Sequence, residues 1–196
     1  MKHTFIFATN NKHKLEEIQQ IVGDKLSILS LQDMNFREDI PENEPTIEGN
    51  ALYKARFIYN RFGKDCFADD TGLEVVALNG EPGVLSARYA GEEKNYQSNN
   101  ELLLKNLNPF PNKSARFKTV IACVLEGREY VFEGIIEGTI VNEPKGKNGF
   151  GYDPIFQPSG YQQTFAELSE EVKNTISHRA RAMESLFMFL QQNHII

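Results

Sequence analysis

The sequence predicts a mixed α/β fold, and three observations carry that prediction. An apolar run at 5–8 gives way to a polar turn and then to apolar residues at helical spacing, which is a strand, loop and helix unit. A second helical pattern and further strand-like runs follow in alternation. Two long strand-like segments, 117–125 and 130–140, then flank Glu126-Gly127, a composition suited to an antiparallel hairpin. Alternation early and a hairpin late describe a mixed sheet with helices against it.

In order along the chain, Phe5-Ile6-Phe7-Ala8 has the unbroken hydrophobicity of a buried strand. Thr9-Asn10-Asn11 supplies turn and cap residues, and Leu15, Ile18 and Ile21 recur on one helix face. Thr46 is expected to cap a helix running to about Phe62, with Leu52, Ala55, Ile58, Tyr59 and Phe62 on one face and Gly63 closing it. Cys66-Phe67-Ala68 reads as a short strand ending in Asp69-Asp70-Thr71-Gly72, with another strand at 73–78. Residues 79–91 are rich in glycine and turn formers, 101–107 reads as helical, and 144–152 is a glycine-rich loop. A last helix begins near Ser177 and carries Ala180, Met183, Leu186, Phe187 and Leu190.

Composition bounds the function classes. With 196 residues, 40% hydrophobic and 24% charged, the chain fits one domain spanning 1–196 with a real core, and global disorder is excluded. A net charge of −6 argues against nucleic acid as a partner, because phosphate backbones are held by dense Lys/Arg surfaces. It leaves room for a small anion held by a few placed cations. No apolar run approaches the ~20 residues of a membrane helix. Met1-Lys2-His3-Thr4-Phe5 runs into a strand without the build of a secretion signal, so a cytoplasmic protein is expected. Cys66 and Cys123 lie in apolar surroundings without metal or redox spacing and are expected to be buried, reduced thiols.

Several constellations could carry chemistry. Thr9-Asn10-Asn11-Lys12-His13-Lys14 sits where a strand becomes a helix; the N–H groups and positive dipole end suit a phosphate, and Lys14 adds a full charge. The alternative is an ordinary capped helix with a basic first turn. Asp69 and Asp70 point to opposite sides of an extended chain, so one could ligate a divalent cation or orient a water while the other caps a turn. A plain Asp-Asp-Thr-Gly turn is the alternative. Glu42 and Glu44 belong to an acidic loop at 38–48 that is either a solvated face or a source of a further metal ligand, and Lys54 lies beside an apolar helix stripe. In Gly149-Phe150-Gly151-Tyr152-Asp153-Pro154 the glycines let the backbone approach a flat ligand, and Phe150 offers a stacking face. Asp153 could accept from a base N–H; a buried aromatic corner is the competing reading. Lys173, His178 and Arg179 place three donors near the last helix, with His178 a general base or a hydrogen-bond donor.

Together these segments resemble the inosine triphosphate pyrophosphatase family, also called the Ham1 family, from Thr9 to about Met183. The matching blocks are Thr9 to Lys14, Glu48-Gly49-Asn50-Ala51 with Lys54-Ala55-Arg56, and Ala68-Asp69-Asp70-Thr71-Gly72-Leu73. Pro82-Gly83-Val84 with Ser86-Ala87-Arg88-Tyr89, Gly149 to Pro154, and Ser177-His178-Arg179 complete them. The resemblance implies an elongated mixed central sheet with flanking helices, two lobes around a substrate cleft, and usually a homodimer. It implies Mg²⁺-dependent hydrolysis of ITP, dITP and XTP between the α and β phosphates, clearing deaminated purines from the nucleotide pool. Carried over by position, Thr9, Asn10, Asn11, Lys12, His13 and Lys14 are similar to the triphosphate loop, and Lys54 to a second phosphate contact. Asp70 resembles the proton acceptor and a metal ligand, Glu42 the second metal contact with Glu44 as the alternative, and Thr71 a substrate-contacting hydroxyl. Phe150, Gly151, Tyr152, Asp153, Lys173, His178 and Arg179 resemble the base and ribose pocket, and Arg88 a substrate-side arginine. Asn10 stands where the family usually has glycine, and His13 where a second glycine is frequent; Asn10 is expected to adopt the same turn through a left-handed backbone. A binding protein without turnover and a hydrolase of another nucleotide are the competing readings.

Overall fold

A computed structural model describes residues 3–196; Met1 and Lys2, read above as leading into the first strand, lie outside the described residues. The strands are β1 (Thr4–Phe7), β2 (Ser27–Ser30), β3 (Cys66–Val75), β4 (Ser114–Leu125), β5 (Arg128–Ile140) and β6 (Phe156–Pro158). The helices are α1 (Lys12–Val22), α2 (Ile47–Phe62), α3 (Tyr96–Leu107), α4 (Glu170–Ile176) and α5 (His178–Gln192). The strands form one mixed sheet in the order β2-β1-β3-β4-β5-β6. β1 runs parallel to both neighbours, with Phe5 opposite Ile28 and Phe7 opposite Phe67, whereas β5 and β6 are antiparallel.

Local chemistry sets most boundaries. Asn11 caps α1 by accepting from the His13 and Lys14 amides, and the Thr46 hydroxyl caps α2 by accepting from Gly49 N. Gly63 ends α2 with φ +61°, the left-handed conformation that glycine adopts at little cost. Glu126 and Gly127 turn the chain between β4 and β5 with φ of 50° and 77°, as a two-residue hairpin turn requires.

Three expectations need correcting. Residues 66–75 form one unbroken strand, so Asp69-Asp70-Thr71-Gly72 is not a turn; the backbone continues and the carboxylates are neutralised by cations instead. The segment at 73–78 leaves the sheet after Val75, and Val76–Leu78 is a 3-10 turn. α3 begins five residues earlier than the apolar pattern suggested, because Asn99 and Asn100 are buried within it and hydrogen-bond backbone groups. Asn99 accepts from Ala90 N and donates to Ala87 O.

The chain divides into two compact units. The first comprises Met1–Asp70, Thr119–Gly134 and Arg179–Ile196. Its core joins Phe5 and Phe7 of β1, Phe67 of β3, Ile121 and Cys123 of β4, Ile18 of α1, and Met183, Leu186 and Leu190 of α5. The second unit, Thr71–Lys118 and Ile135–His178, packs Leu73, Leu103, Phe117, Ile136, Phe156 and Phe165. No helix among the described residues is long and apolar enough to cross a membrane.

Candidate active site

In the first unit, the buried face of α2 carries Asn50, Ala51, Lys54, Ala55 and Ile58, two of them polar at helical spacing. Lys54 is 6% exposed, which a lysine tolerates only with counter-charges. Its ammonium donates to Glu42 Oε1 at 2.6 Å and to Asp70 Oδ1 at 3.4 Å. Asn50 Nδ2 donates to the other Asp70 oxygen at 3.3 Å, while Asn50 Oδ1 accepts from the Glu44 amide. Two carboxylates thus share one ammonium. Burial works against the Lys54 charge, but Asp70 and Glu42 more than restore it and its pKa is raised. Burial raises Asp70; Lys54 opposes the rise, Glu42 and Asp69 add to it, and the net shift is upward.

The neighbouring cluster uses the opposite face of β3. Asp69 Oδ1 accepts from the Lys14 ammonium at 3.1 Å, and Asp69 Oδ2 from the Arg179 guanidinium at 3.1 Å. Arg179 is 1% exposed and also pairs with Glu17 of α1. Burial alone would raise Asp69, yet the Lys14 and Arg179 charges hold it well below the usual carboxylate range. Lys14 moves the other way: burial outweighs Asp69 and lowers its pKa.

In the second unit, Phe150, Asp153 and Lys173 form a group of their own, whereas Arg179, expected with them, pairs with Asp69 and Glu17 in the first unit. Lys173 of α4 donates to Asp153 Oδ2 at 2.6 Å, and its ammonium lies 5.0 Å from the Phe150 ring centre. The same Asp153 oxygen accepts from the Phe150 amide at 2.8 Å. Gly149 adopts φ +73°, and a Cβ there would fall 2.1 Å from Asp153 Oδ2, so glycine is demanded twice over. The Tyr152 hydroxyl donates to Ser86 O, which ties this loop to the Gly83–Arg88 3-10 turn, and Asn100 Nδ2 donates to Gly151 O.

The remaining expected residues are placed as follows. Thr9 Oγ1 accepts from the Asn11 amide within the first loop. Lys12 and His13 are exposed at the start of α1, where the Asn11 cap already takes the His13 and Lys14 amides, two of the helix-start donors. Asn10 does not have a positive φ, so the expected left-handed turn is absent there. Glu42 rather than Glu44 reaches Lys54; Glu44 is exposed. Thr71 follows Asp70 in β3, and Arg88 ends its 3-10 turn half-buried. His178 is 3% exposed and stacks on Phe117 at 4.5 Å. The sequence left Glu17 and Asn100 unmarked, gave Asn50 no role beyond its place in a matching block, and left Asp69 as either a cation or water ligand or a turn cap. For Asn50 a signal existed, a polar residue four before Lys54 on an otherwise apolar face.

No group of three or more His, Cys, Asp or Glu residues able to hold a metal occurs among the described residues. The donor set still suits a hard divalent cation, because Glu42 and Asp70 already converge on one cation, the Lys54 ammonium. Mg²⁺ is held through one or two carboxylates, with waters and substrate phosphates completing its shell.

The mixed α/β fold thus presents a buried lysine–carboxylate centre and, where β1 leads into α1, a first turn carrying Lys12 and Lys14. The Ham1 family model matches residues 5–189, and the chain belongs to that family. A "dITP/XTP pyrophosphatase" of Flavobacterium johnsoniae is 56% identical over 94% of this chain and 96% of its own. The Staphylococcus aureus Ham1 protein superposes with a TM-score of 0.87 at 39% identity, covering 97% of this chain and 99% of that one. A HAM1 protein from Coxiella burnetii gives 0.88 at 37% identity with the same coverage.

Proposed function

We propose that this Ham1-family protein hydrolyses the triphosphates of deaminated purines, dITP, ITP and XTP, to the nucleoside monophosphate and pyrophosphate. The observation that carries the reading is the pair of carboxylates, Glu42 and Asp70, converging on buried Lys54 in the same unit as Lys14. Relatives named dITP/XTP pyrophosphatase over nearly their full length support it.

In this reading Lys14 and Lys54 balance phosphate charge, framed by the loop Thr9, Asn10, Asn11, Lys12 and His13. Glu42 and Asp70 would hold Mg²⁺, which when bound neutralises phosphate charge and favours pyrophosphate as leaving group. Asp70 orients the attacking water and accepts its proton. The water oxygen bonds to the α phosphorus as the bond from that phosphorus to the α–β bridging oxygen breaks, and pyrophosphate leaves with that oxygen. Because Arg179 and Lys14 are already paired with Asp69, substrate phosphates compete with Asp69 for Lys14.

Base choice follows from edges. Phe150 offers a stacking face, with Gly151 and Tyr152 shaping the loop, and Asp153 accepts from a ring N–H. Lys173 donates to the C6 carbonyl of hypoxanthine or xanthine, assisted by His178; Thr71 and Arg88 contact sugar or phosphate. Adenine presents an amino group there, leaving a buried donor facing a donor, which costs about 1–3 kcal/mol. The same reading makes 1–196 one functional domain, acting in the cytoplasm as a homodimer, with dimerisation checked by sedimentation.

The test is product analysis by anion exchange with dITP, XTP, dGTP and dATP side by side in the presence of Mg²⁺. Monophosphate plus pyrophosphate from dITP and XTP, with dATP and dGTP nearly untouched, supports the reading. Diphosphate plus orthophosphate would place cleavage at the γ position and overturn the mechanism.

A further inference from the structure

The segment at 36–46 carries Glu42 and has no regular secondary structure. It is held from four points. The Phe36 ring packs edge-on against Phe57 and Phe62 of α2, Glu44 N is bonded by Asn50, and Glu42 by Lys54. The fourth hold comes from outside α2: Asn10 Nδ2 donates to Glu38 O at 3.0 Å and to Asp39 Oδ1 at 3.3 Å. The carboxamide nitrogen thus has two acceptors on the segment carrying Glu42, while Asn10 itself belongs to the loop that leads into Lys14. The backbone does not explain asparagine at this position, because positive φ among the described non-glycine residues occurs only at Asn35, Asn79, Glu126 and His194. The side chain does explain it; glycine has no group that could make either bond.

We propose that Asn10 is a positioning residue that clips the Lys14 loop to the acidic segment, keeping Glu42 near its working position before substrate arrives. Both bonds are exposed, so they add little to global stability; their effect is on the order of a flexible segment. The proposal rests on the hydrolase reading for its catalytic consequence, but the clip itself is a property of the free protein.

The test uses the full chain with Asn10→Ala, Asn10→Gly, Asn10→Asp and Asp39→Ala, together with the Asn10→Ala/Asp39→Ala double variant. Amide hydrogen exchange across 37–46 is followed by mass spectrometry without nucleotide or Mg²⁺, and kcat and KM for dITP are measured across a Mg²⁺ titration. Losing the clip should speed exchange in that segment and raise KM and the half-saturating Mg²⁺ by about 3- to 10-fold, with kcat changed far less. Asn10→Asp, which keeps the shape but sets a carboxylate against Asp39, should be at least as severe. Asp39→Ala should add little once Asn10 is already alanine. Unchanged exchange, or faster exchange with KM and Mg²⁺ dependence unmoved, overturns the proposal. Should the wild-type protein turn over no dITP, the proposed function falls, and exchange still decides whether Asn10 holds the segment.

Discussion

Lys54 shows what burial does to a single side chain. Its charge survives at 6% exposure because Glu42 and Asp70 lie within hydrogen-bonding distance, and Asp70 is in turn fixed by Asn50. Removing the Asp70 charge while keeping its shape should therefore separate binding from turnover. Asp70→Asn is expected to lower kcat by about 100-fold or more, with nucleotide affinity measured by calorimetry changed only slightly. Retention of a tenth of wild-type turnover would contradict the role given to Asp70. The two cysteines illustrate burial without partners of opposite charge. Burial pushes the Cys66 thiol up to about 12 and raises Cys123 as well. Neither should react with a thiol reagent at about pH 8 in the folded protein, whereas both should react on unfolding. Fast labelling of the native protein would mean that the β3–β4 core opens readily.

At the scale of elements, a loop can place a charged group rather than merely end a helix. The loop from Gly149 to Asp153 is the sharpest case, since one Asp153 oxygen receives both the Phe150 amide and the Lys173 ammonium. A methyl group at position 149 would strain a positive φ and push into that same oxygen. Gly149→Ala is expected to raise KM for dITP by about 10-fold or more and to weaken the preference over dATP. Steady-state kinetics with both nucleotides would decide it; unchanged selectivity would detach Asp153 from base choice. β3 makes the related point in a strand. Adjacent residues of an extended chain face opposite ways, so Asp69 meets Lys14 and Arg179 while Asp70 meets Lys54.

For the molecule as a whole, the buried charges tie stability to pH. Asp69 is held below the usual carboxylate range by Lys14 and Arg179 against the opposing effect of burial. A carboxylate with a depressed folded pKa stabilises the native state above its unfolded value, near 3.9, and that contribution is lost as pH falls below it. Denaturant unfolding between about pH 3 and pH 7 should show stability dropping on the acid side. Asp69→Asn should lose about 3–5 kcal/mol at neutral pH, because buried Arg179 and half-buried Lys14 lose their shared partner, and its acid-side slope should be shallower. Equal slopes for the two proteins would exclude Asp69 as the source.

The sequence by itself determined the α/β class, a turn and cap within Thr9-Asn10-Asn11, the caps at Thr46 and Gly63, and the Glu126-Gly127 hairpin. These are local matters: periodicity, capping and turn conformation depend on neighbours a few residues away. It could not supply β2 and β6, which are four and three residues long and owe their conformation to pairing with β1 and β5. Nor could it distinguish a turn from a strand at Asp69-Asp70, because two adjacent carboxylates look solvent-seeking until distant cations are known. Tertiary structure alone decided which acid meets which base, Glu42 rather than Glu44 for Lys54 and Asp69 for Arg179 across 110 residues of chain, and that the Asn10 carboxamide donates to Glu38 O and Asp39. The physical reason is that a buried charge is tolerable only beside its complement, and that complement is chosen by the packing of the chain, not by its order.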